Sequence, residues 1–166
     1  MNQFDIFRYL GKWYDIAHMK TFPWQDKCAF STAEYSLNSD KTKMIIKNTC
    51  FISNSSKYSR TGEATPTKTP SKLRVIFDNR DEIPISGFGR IYKDGLPADP
   101  EGEYWVLWTD YDNYSIVSSG SNKKYVWLLS RRPVIRAKDV APLLQIVKDN
   151  GYDPNLLYSN PKSVQK

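Results

Sequence analysis

Few residues in this chain of 166 have the types and spacing that catalysis requires. The chain has one histidine, His18, which we expect at the surface or rim, and no Gly-x-Ser-x-Gly turn that would present a nucleophilic serine. The cysteines, Cys28 and Cys50, are separated from each other and from His18, without metal-ligand spacing. Asp110 and Asp112 lie among turn-forming residues, and we expect them to shape a turn. The sequence therefore predicts no catalytic group, no metal site and no cofactor, and we expect the protein not to be an enzyme.

The composition argues against several classes of protein. With 40% hydrophobic and 14% aromatic residues, the chain can build a sizeable core and is not typical of disorder. No apolar run approaches the length of a membrane span. The net charge of +6 is spread along the chain, without the basic run or aromatic ladder of a nucleic-acid module. We expect a single domain over residues 1–166 that does not bind nucleic acid.

The hydrophobic pattern predicts eight strands followed by one helix. Leu73, Val75 and Phe77 alternate with polar residues and share one face of a strand. After Pro133 the period becomes helical, with Asp139 as a cap and Asn150-Gly151 as a stop. The predicted elements are a helical turn at 4–10, strands at 12–18, 28–37, 43–51, 59–65, 72–77, 104–108, 114–119 and 124–131, and a helix around 140–147. A long irregular connection runs from Asp78 to Glu103.

Eight sequential strands joined mostly by short turns predict an all-β fold, an eight-stranded up-and-down antiparallel barrel. The N-terminal helical turn would plug one end, and the C-terminal helix would pack outside. Gly11 permits a tight bend before the first strand because it lacks Cβ. Trp13 on this strand needs a partner, and the guanidinium of Arg131 at the end of the last strand can stack on its indole. Such a contact would join the first strand to the last and close the sheet around room for one small ligand.

Three motifs, in this order, resemble those of the lipocalin family. They are Gly11-Lys12-Trp13-Tyr14 at the first strand, Thr109-Asp110-Tyr111 between the sixth and seventh strands, and Arg131 at the end of the eighth. Further segments are similar in particular to apolipoprotein D and to the bacterial outer-membrane and plant temperature-induced lipocalins. These segments are Arg8-Tyr9-Leu10-Gly11, Ala33-Glu34-Tyr35-Ser36-Leu37, Gly62-Glu63-Ala64, Tyr104-Trp105-Val106-Leu107 and Trp127-Leu128-Leu129-Ser130-Arg131. The resemblance covers nearly the whole chain and implies a calyx, which is a barrel closed at one end and open at the other.

Strand alternation and the resemblance together indicate which side chains line the calyx. If Arg131 meets Trp13 inside the closed end, then Leu129, Trp127 and Tyr125 point inward too, because the side-chain period is two. The resemblance also favours inward positions for Ala33, Tyr35, Met44, Ile46, Asn48 and Val117.

The sixth strand allows two inward sets by alternation alone. One contains Tyr104, Val106 and Trp108, and the other contains Trp105 and Leu107; the resemblance favours the first. The ligand-binding residues predicted in this way are Tyr35, Ile46, Val75, Tyr104, Val106, Val117, Tyr125 and Trp127. We expect those nearer the mouth, chiefly Tyr35, Tyr104, Tyr125 and Trp127, to contact the ligand, while interior residues near the closed end can form a solid core.

The register of the second and third strands decides the state of the cysteines. A three-residue loop would pair Leu37 with Lys41 and place Cys28 opposite Cys50. A four-residue loop would shift the register by one residue and put the two sulfurs on opposite faces. The inward set requires the second register unless a bulge intervenes, so we expect two free thiols.

The resemblance implies that the calyx binds a small hydrophobic molecule, such as a fatty acid, a lysophospholipid or a sterol, and carries or stores it. Two alternatives are an enzyme acting on a lipid or isoprenoid in the calyx, and a loop-mediated interaction protein with a filled cavity. We expect the ligand to pass between the loop Phe22-Pro23-Trp24 and the connection 78–103. Apolar residues on these mouth loops can also contact a membrane surface. We further expect a monomer or weak dimer.

The start of the chain leaves the compartment open. Met1 is followed at once by Asn2-Gln3-Phe4-Asp5, without a basic-then-apolar leader. The protein is therefore expected to be cytosolic, or to be extracytoplasmic or membrane-associated if Met1 replaces a removed leader.

Overall fold

Eight antiparallel strands close into a barrel in the computed structural model, which describes residues 1, 3–19, 28–53, 55–77, 102–159 and 164–165. Each strand from β1 to β7 pairs with the next one in the sequence, and β8 pairs back onto β1. The predicted up-and-down barrel is confirmed. No helix among the described residues is both long enough and apolar enough to cross a membrane.

The elements follow one another in the predicted order, with small differences at their ends. The barrel strands are β1 (Gly11–Met19), β2 (Phe30–Leu37), β3 (Met44–Phe51), β4 (Lys57–Pro66), β5 (Lys72–Phe77), β6 (Gly102–Thr109), β7 (Tyr114–Ser118) and β8 (Val126–Ser130). The helices are α1 (Ile6–Tyr9) and α2 (Ala137–Asp149), with short 3₁₀ turns at Gly120–Asn122 and Pro154–Leu156. Three short strands complete the chain, β9 (Ile135–Arg136), β10 (Leu157–Ser159) and β11 (Val164–Gln165). Most of the predicted connection 78–103, and the loop 22–24, lie outside the described residues, while Gly102 and Glu103 belong to β6.

The direction of the strands separates a closed end from an open end. β1 begins directly after α1, so α1 and the connections 38–43, 67–71 and 110–113 lie at the closed end. Asp5 caps α1, since its carboxylate accepts hydrogen bonds from the N–H groups of Phe7 and Arg8. The last residues of β1, β3, β5 and β7 lie at the opposite end, which is the mouth.

The apolar side chains form two clusters, one inside the barrel and one outside it. The inner cluster contains Trp13, Tyr9 from α1, and residues from seven of the strands: Ala33, Tyr35, Met44, Ile46, Ala64, Leu73, Val75, Val106, Val117 and Leu129. The outer cluster packs Leu143 and Val147 of α2 against Ile116 and Leu128 on the outer faces of β7 and β8. The predicted position of the C-terminal helix, outside the barrel, is therefore confirmed.

Two local details of the prediction are wrong. The pairing of β6 with β7 shifts between Val106 and Trp108, and this bulge places Trp108 in the outer cluster instead of inside the barrel. Asp139 does not cap α2, which starts after Arg136 without a side-chain cap. The Asp139 carboxylate instead accepts hydrogen bonds from Tyr114 Oη at 2.7 Å and from Arg136 Nε at 2.8 Å. The bond from Tyr114 connects the helix to β7.

The prediction of free thiols is also wrong, because Cys28 and Cys50 form a disulfide with their Cα atoms 5.3 Å apart. Leu37 pairs with Met44, a register different from both alternatives, although it leaves the predicted inward set on one face. Cys28 precedes β2, where the N–H of Ala29 donates to the carbonyl of Phe51 at 2.7 Å. The chain therefore departs from the regular ladder just before β2, and this irregularity brings the two cysteines together.

An additional strand joins the barrel at the mouth. β10 pairs with the last three residues of β1, Ala17–Met19, whereas the pairing of β1 with β2 covers Gly11–Tyr14. This strand is not among the predicted elements. The C-terminal chain thus takes up the edge of β1 beyond the residues that pair with β2.

Candidate functional site

Trp13 and Arg131 form the floor of the barrel where the first strand meets the last. The Arg131 guanidinium lies 3.7 Å from the centre of the Trp13 ring, so the predicted stack is confirmed. Its nitrogens also donate to the backbone carbonyls of Lys12 at 3.0 Å, Arg8 at 3.1 Å and Tyr111 at 3.0 Å. The indole N–H of Trp13 donates to the Tyr9 carbonyl at 2.9 Å. One arginine thus connects α1, β1 and the turn before β7 at the closed end.

Gly11 has a structural reason to be glycine at this floor. Its φ is +94°, in the region that favours glycine, and an added Cβ would lie 3.4 Å from Arg131 Nη1. The predicted bend before β1 is therefore present, and it brings the Lys12 carbonyl to the guanidinium.

The Thr109-Asp110-Tyr111 motif builds the turn that Arg131 contacts. The Asp110 carboxylate accepts hydrogen bonds from the N–H groups of Asn113 and Tyr114, each at 2.8 Å. Thr109 Oγ1 donates to the Tyr114 carbonyl at 2.8 Å, and the Tyr111 hydroxyl accepts from the N–H of Asp5 at 2.9 Å. The Asp110 contacts confirm its predicted role in shaping the turn, whereas the Asp112 carboxylate lies 3.5 Å from Arg8 Nη2 of α1.

Above the floor, four hydroxyl groups form a continuous chain of hydrogen bonds inside the barrel. The hydroxyl of Tyr104 lies 2.8 Å from that of Tyr35 and 2.9 Å from that of Tyr9, and Tyr9 lies 3.0 Å from Ser115 Oγ. Ser115 Oγ donates to the Trp108 carbonyl at 3.3 Å. Because that bond uses the Ser115 proton, Tyr9 donates to Ser115, Tyr104 to Tyr9 and Tyr35 to Tyr104. All four hydroxyl protons are consumed within the chain.

Burial keeps these tyrosines neutral. It raises the pKa of Tyr9 to about 12, and it raises the pKa values of Tyr35 and Tyr104 well above their usual value. The ionised form would lose its hydration inside the barrel, so its formation is opposed there. The chain is therefore an uncharged polar lining at any physiological pH.

We expect alkali to destabilise the protein because these tyrosines ionise more readily in the unfolded chain. A raised folded-state pKa gives stability that is complete below about pH 10, where the unfolded tyrosine ionises, and that declines as the pH rises toward the folded-state value. Ultraviolet absorbance should show fewer than eleven tyrosines titrating near their usual pKa in the native protein and all eleven in denaturant. If all eleven tyrosines of the native protein titrated near pH 10, the burial of the tyrosine hydroxyl groups would be contradicted.

Most of the predicted ligand-binding residues meet inside the barrel. Tyr35, Ile46, Val75, Val106 and Val117 belong to the inner cluster, each with at most 6% of its surface exposed. Tyr104 and Trp127 pack against this cluster but keep part of their surface exposed. The five buried residues form a packed core above the floor, and the partly exposed rings of Tyr104 and Trp127 lie against this core.

Tyr125 is placed differently from the other predicted ligand residues. It precedes β8 and packs against the outer cluster, although its ring centre is 5.9 Å from that of Trp127. The alternation from Leu129 through Trp127 therefore does not extend to Tyr125, because the strand begins only at Val126.

Two ionisable side chains on the inner face of β1 lie in contact. His18 pairs with Trp127 of β8 and Asp15 with Leu129, and residues directly opposite on neighbouring strands share a face. His18 Nδ1 lies 2.9 Å from Asp15 Oδ2, to which Ser31 Oγ donates at 3.0 Å. The His18 side chain is 14% exposed and lies one residue before the mouth end of β1, so of the predicted positions it takes the rim and not the open surface.

Arg60 is an inner-face residue that the sequence analysis missed. It shares the face of β4 with Gly62 and Ala64, and it pairs with Asn48, which shares the face of β3 with Met44 and Ile46. Its guanidinium lies 4.4 Å from the centre of the Phe77 ring. Period-two alternation from Ala64 places Arg60 inside, but no inner face was predicted for this strand.

Comparisons with known proteins agree with this architecture. A family model described as "Lipocalin-like domain" matches residues 4–162. Temperature-induced lipocalin-1 of Arabidopsis thaliana is 30% identical over 96% of this chain and 80% of its own length. Apolipoprotein D of Mus musculus is 28% identical over 90% of this chain and 72% of its own length. The outer membrane lipoprotein Blc of Vibrio cholerae is 28% identical over 95% of this chain and 82% of its own length.

Solved structures share the fold at lower sequence identity. The cockroach allergen Per a 4 superposes with a TM-score of 0.68 at 15% identity, covering 99% of this chain and 91% of the allergen. Lobster apocrustacyanin A1 superposes with a TM-score of 0.63 at 18% identity, covering 96% of this chain and 78% of that one. With the family model matching nearly the whole barrel, the chain belongs to the lipocalin-like domain family.

Proposed function

We propose that this protein binds a small hydrophobic molecule inside its barrel and carries or stores it without changing it. The observation that carries the proposal is the pair of partly exposed aromatic residues, Tyr104 and Trp127, which extend from a packed inner core. A filled barrel would bury these rings as completely as it buries Ile46 or Val106. Membership of a family whose members generally bind hydrophobic ligands supports the same function.

A fatty acid, a lysophospholipid or a sterol fits this proposal in size and polarity. Burial of an acyl chain contributes roughly 0.8 kcal/mol per CH₂ group, which can support micromolar binding after the costs of association. The other predicted contacts inside the barrel are Tyr35, Ile46, Val75, Val106 and Val117.

Enzymatic action on a bound lipid or isoprenoid is the alternative that needs a direct test. The protein should be incubated with a stoichiometric fluorescent fatty acid, extracted with organic solvent, and the extract analysed by mass spectrometry. Recovery of the unchanged probe supports a carrier, whereas a chemically altered probe would support the enzyme.

A membrane surface is a further proposed contact of the mouth. Phe30, which is 42% exposed, stacks on Phe51 with ring centres 4.3 Å apart at the open end, and Lys57 Nζ lies 5.9 Å from the Phe51 ring. Aromatic side chains beside a lysine suit the interface between lipid tails and anionic headgroups. Sedimentation with anionic and with neutral vesicles would test this contact.

An oxidising compartment is the proposed location. The Cys28–Cys50 disulfide supports it, since such bonds persist outside reducing compartments, and one relative is named an outer membrane lipoprotein. Fractionation of the native host with an antibody to this chain would test it.

Trp127 should report the bound molecule. We expect fatty acids, lysophospholipids or sterols to change the intrinsic tryptophan fluorescence, and Trp127→Ala to weaken uptake by about tenfold, because a truncated aromatic ring loses its contact with the ligand. Trp105→Ala is the control, since Trp105 lies outside both clusters, with Lys72 Nζ 3.7 Å from its ring centre. Unchanged fluorescence with every lipid, together with intact uptake by Trp127→Ala, would favour an interaction protein with a filled cavity.

A further inference from the structure

The hydroxyl chain inside the barrel has one direction because its last acceptor is a backbone carbonyl. The Trp108 carbonyl cannot donate, so Ser115 gives it a proton at 3.3 Å and accepts one from Tyr9 at 3.0 Å. Tyr9 in turn accepts from Tyr104, and Tyr104 accepts from Tyr35. Every proton of the chain therefore points away from Tyr35 and toward Ser115.

The Tyr35 end of the chain presents lone pairs and no proton. Its hydroxyl donates to Tyr104, and no described residue donates to it, because the neighbouring Tyr9 gives its own proton to Ser115. Tyr104 accepts from Tyr35 and keeps a second lone pair. Burial raises the pKa values of these tyrosines, so the acceptors carry no charge.

These lone pairs restrict the polar groups that a ligand can bring to them. Tyr104 keeps part of its surface exposed, so a ligand that contacts its ring can bring its own end to the two hydroxyl groups. A carboxylate, a carbonyl or an ether would place further lone pairs against them without a proton between. An ammonium group could donate, but it would lose its hydration in an apolar barrel. A hydroxyl group donates without carrying a charge.

We propose that Tyr35 and Tyr104 select a ligand whose buried end carries a hydroxyl group, which donates a hydrogen bond to them. Ser115 is fully buried and bonds to Tyr9, so it acts through the chain as a positioning residue that sets the direction of the protons. This inference rests on the proposed function and adds to it the polar group that the ligand buries, as a sterol or a long-chain alcohol would.

The test compares two probes that differ in one hydrogen-bond donor, 11-(dansylamino)undecan-1-ol and its O-methyl ether. We expect the wild-type protein to bind the alcohol about tenfold more tightly, because the ether sets a further lone pair against the tyrosine acceptors. Titrations followed by dansyl fluorescence give both dissociation constants.

Ser115→Ala is expected to remove this preference by improving the binding of the ether. Without the serine acceptor, the Tyr9 proton turns to Tyr104 and the chain reverses, so Tyr35 gains a proton that it can donate to either probe. The ratio of the two dissociation constants should fall from about ten to about one. A serine that acted only by packing would change both constants equally and leave their ratio as it is.

A second variant and a control accompany this substitution. Tyr104→Phe separates Tyr35 from Tyr9 and frees the Tyr35 proton, so it should also bring the two constants together, even if Ser115→Ala fails to fold. Ser118→Ala is the matched control, since Ser118 lies on the same strand and is as fully buried, but pairs with Val126 of the outer cluster. It should keep the wild-type ratio.

The outcomes separate this inference from the proposed function. Equal binding of the two probes by the wild type would overturn the selection of a hydroxyl group and leave the hydrophobic calyx in place. An unchanged ratio in both Ser115→Ala and Tyr104→Phe would overturn the role of the proton direction. Failure of the wild type to bind either probe would count against the proposed function itself.

The carbon skeleton that bears the hydroxyl group can be resolved with matched competitors. Cholestanol is compared with cholestan-3-one, and 2-dodecanol with 2-dodecanone, as competitors of the dansylated alcohol. We expect the hydroxylated member of whichever pair binds to compete about tenfold better than its ketone. A ketone that competes as well as its alcohol would overturn the assignment of a donated hydrogen bond.

Discussion

Replacing Trp13 with alanine is expected to lower the free energy of unfolding by about 3–5 kcal/mol, the range for truncating a buried tryptophan. Trp13 is fully buried, and its loss would also remove the surface on which Arg131 stacks. The melting temperature should fall by about 10 °C in a domain of this size. Thermal and urea unfolding, each followed by circular dichroism, would measure the change.

The same substitution at Trp105 serves as a control for the loss of a large ring. Trp105 also has a cation near its face, Lys72 at 3.7 Å, but it is only partly buried and lies in neither apolar cluster. We expect Trp105→Ala to cost about 1 kcal/mol. Equal costs at the two positions, or an unchanged melting temperature for Trp13→Ala, would contradict the structural role of the floor.

Reduction of the Cys28–Cys50 disulfide is expected to destabilise the protein by about 3 kcal/mol, because the bond closes a short segment of the unfolded chain. The cysteines are 22 residues apart, and together they are the only cysteines in the chain. Chemical unfolding with and without reductant would measure the difference. The variant carrying both Cys28→Ser and Cys50→Ser should resemble the reduced protein and show no response to reductant.

A thiol assay provides an independent check of this bond. The unfolded, unreduced protein should show no reactive thiol, and the reduced protein should show two. Two reactive thiols without reductant would restore the expectation of free cysteines, and the reductant should then leave stability unchanged.

The barrel was predictable because its determinants are local patterns repeated along the chain. Alternation placed Leu73 and Val75 on an inner face without knowledge of any neighbour. The contact between Trp13 and Arg131 spans nearly the whole chain, yet the residue types and their positions at the first and last strands sufficed to predict it.

The errors arose where a strand departs from its regular period. The bulge between Val106 and Trp108 moves Trp108 to the outer cluster, and the irregular backbone at Cys28 and Ala29 makes the disulfide. Each irregularity moves the side chains beyond it to the other face of the strand. The alternation of apolar residues does not predict where such a shift occurs.

The tyrosine hydroxyl chain required three-dimensional information of another kind. Tyr9, Tyr35 and Tyr104 come from α1, β2 and β6, and each is an ordinary inward aromatic residue when taken singly. Their hydroxyl groups meet only because the tilt of the strands brings these positions to a common level, which no sequence spacing reveals.

The strand β10 makes the C-terminal chain a mechanical part of the mouth. Because Leu157–Ser159 hydrogen-bond to the open end of β1, a force on these three residues is transmitted to the strand that carries His18. Val164 and Gln165 pair instead with β9, directly before α2. A change that loosens β10 would therefore act on the rim of the calyx, whereas a change at Val164 would act on the segment that leads into the outer helix.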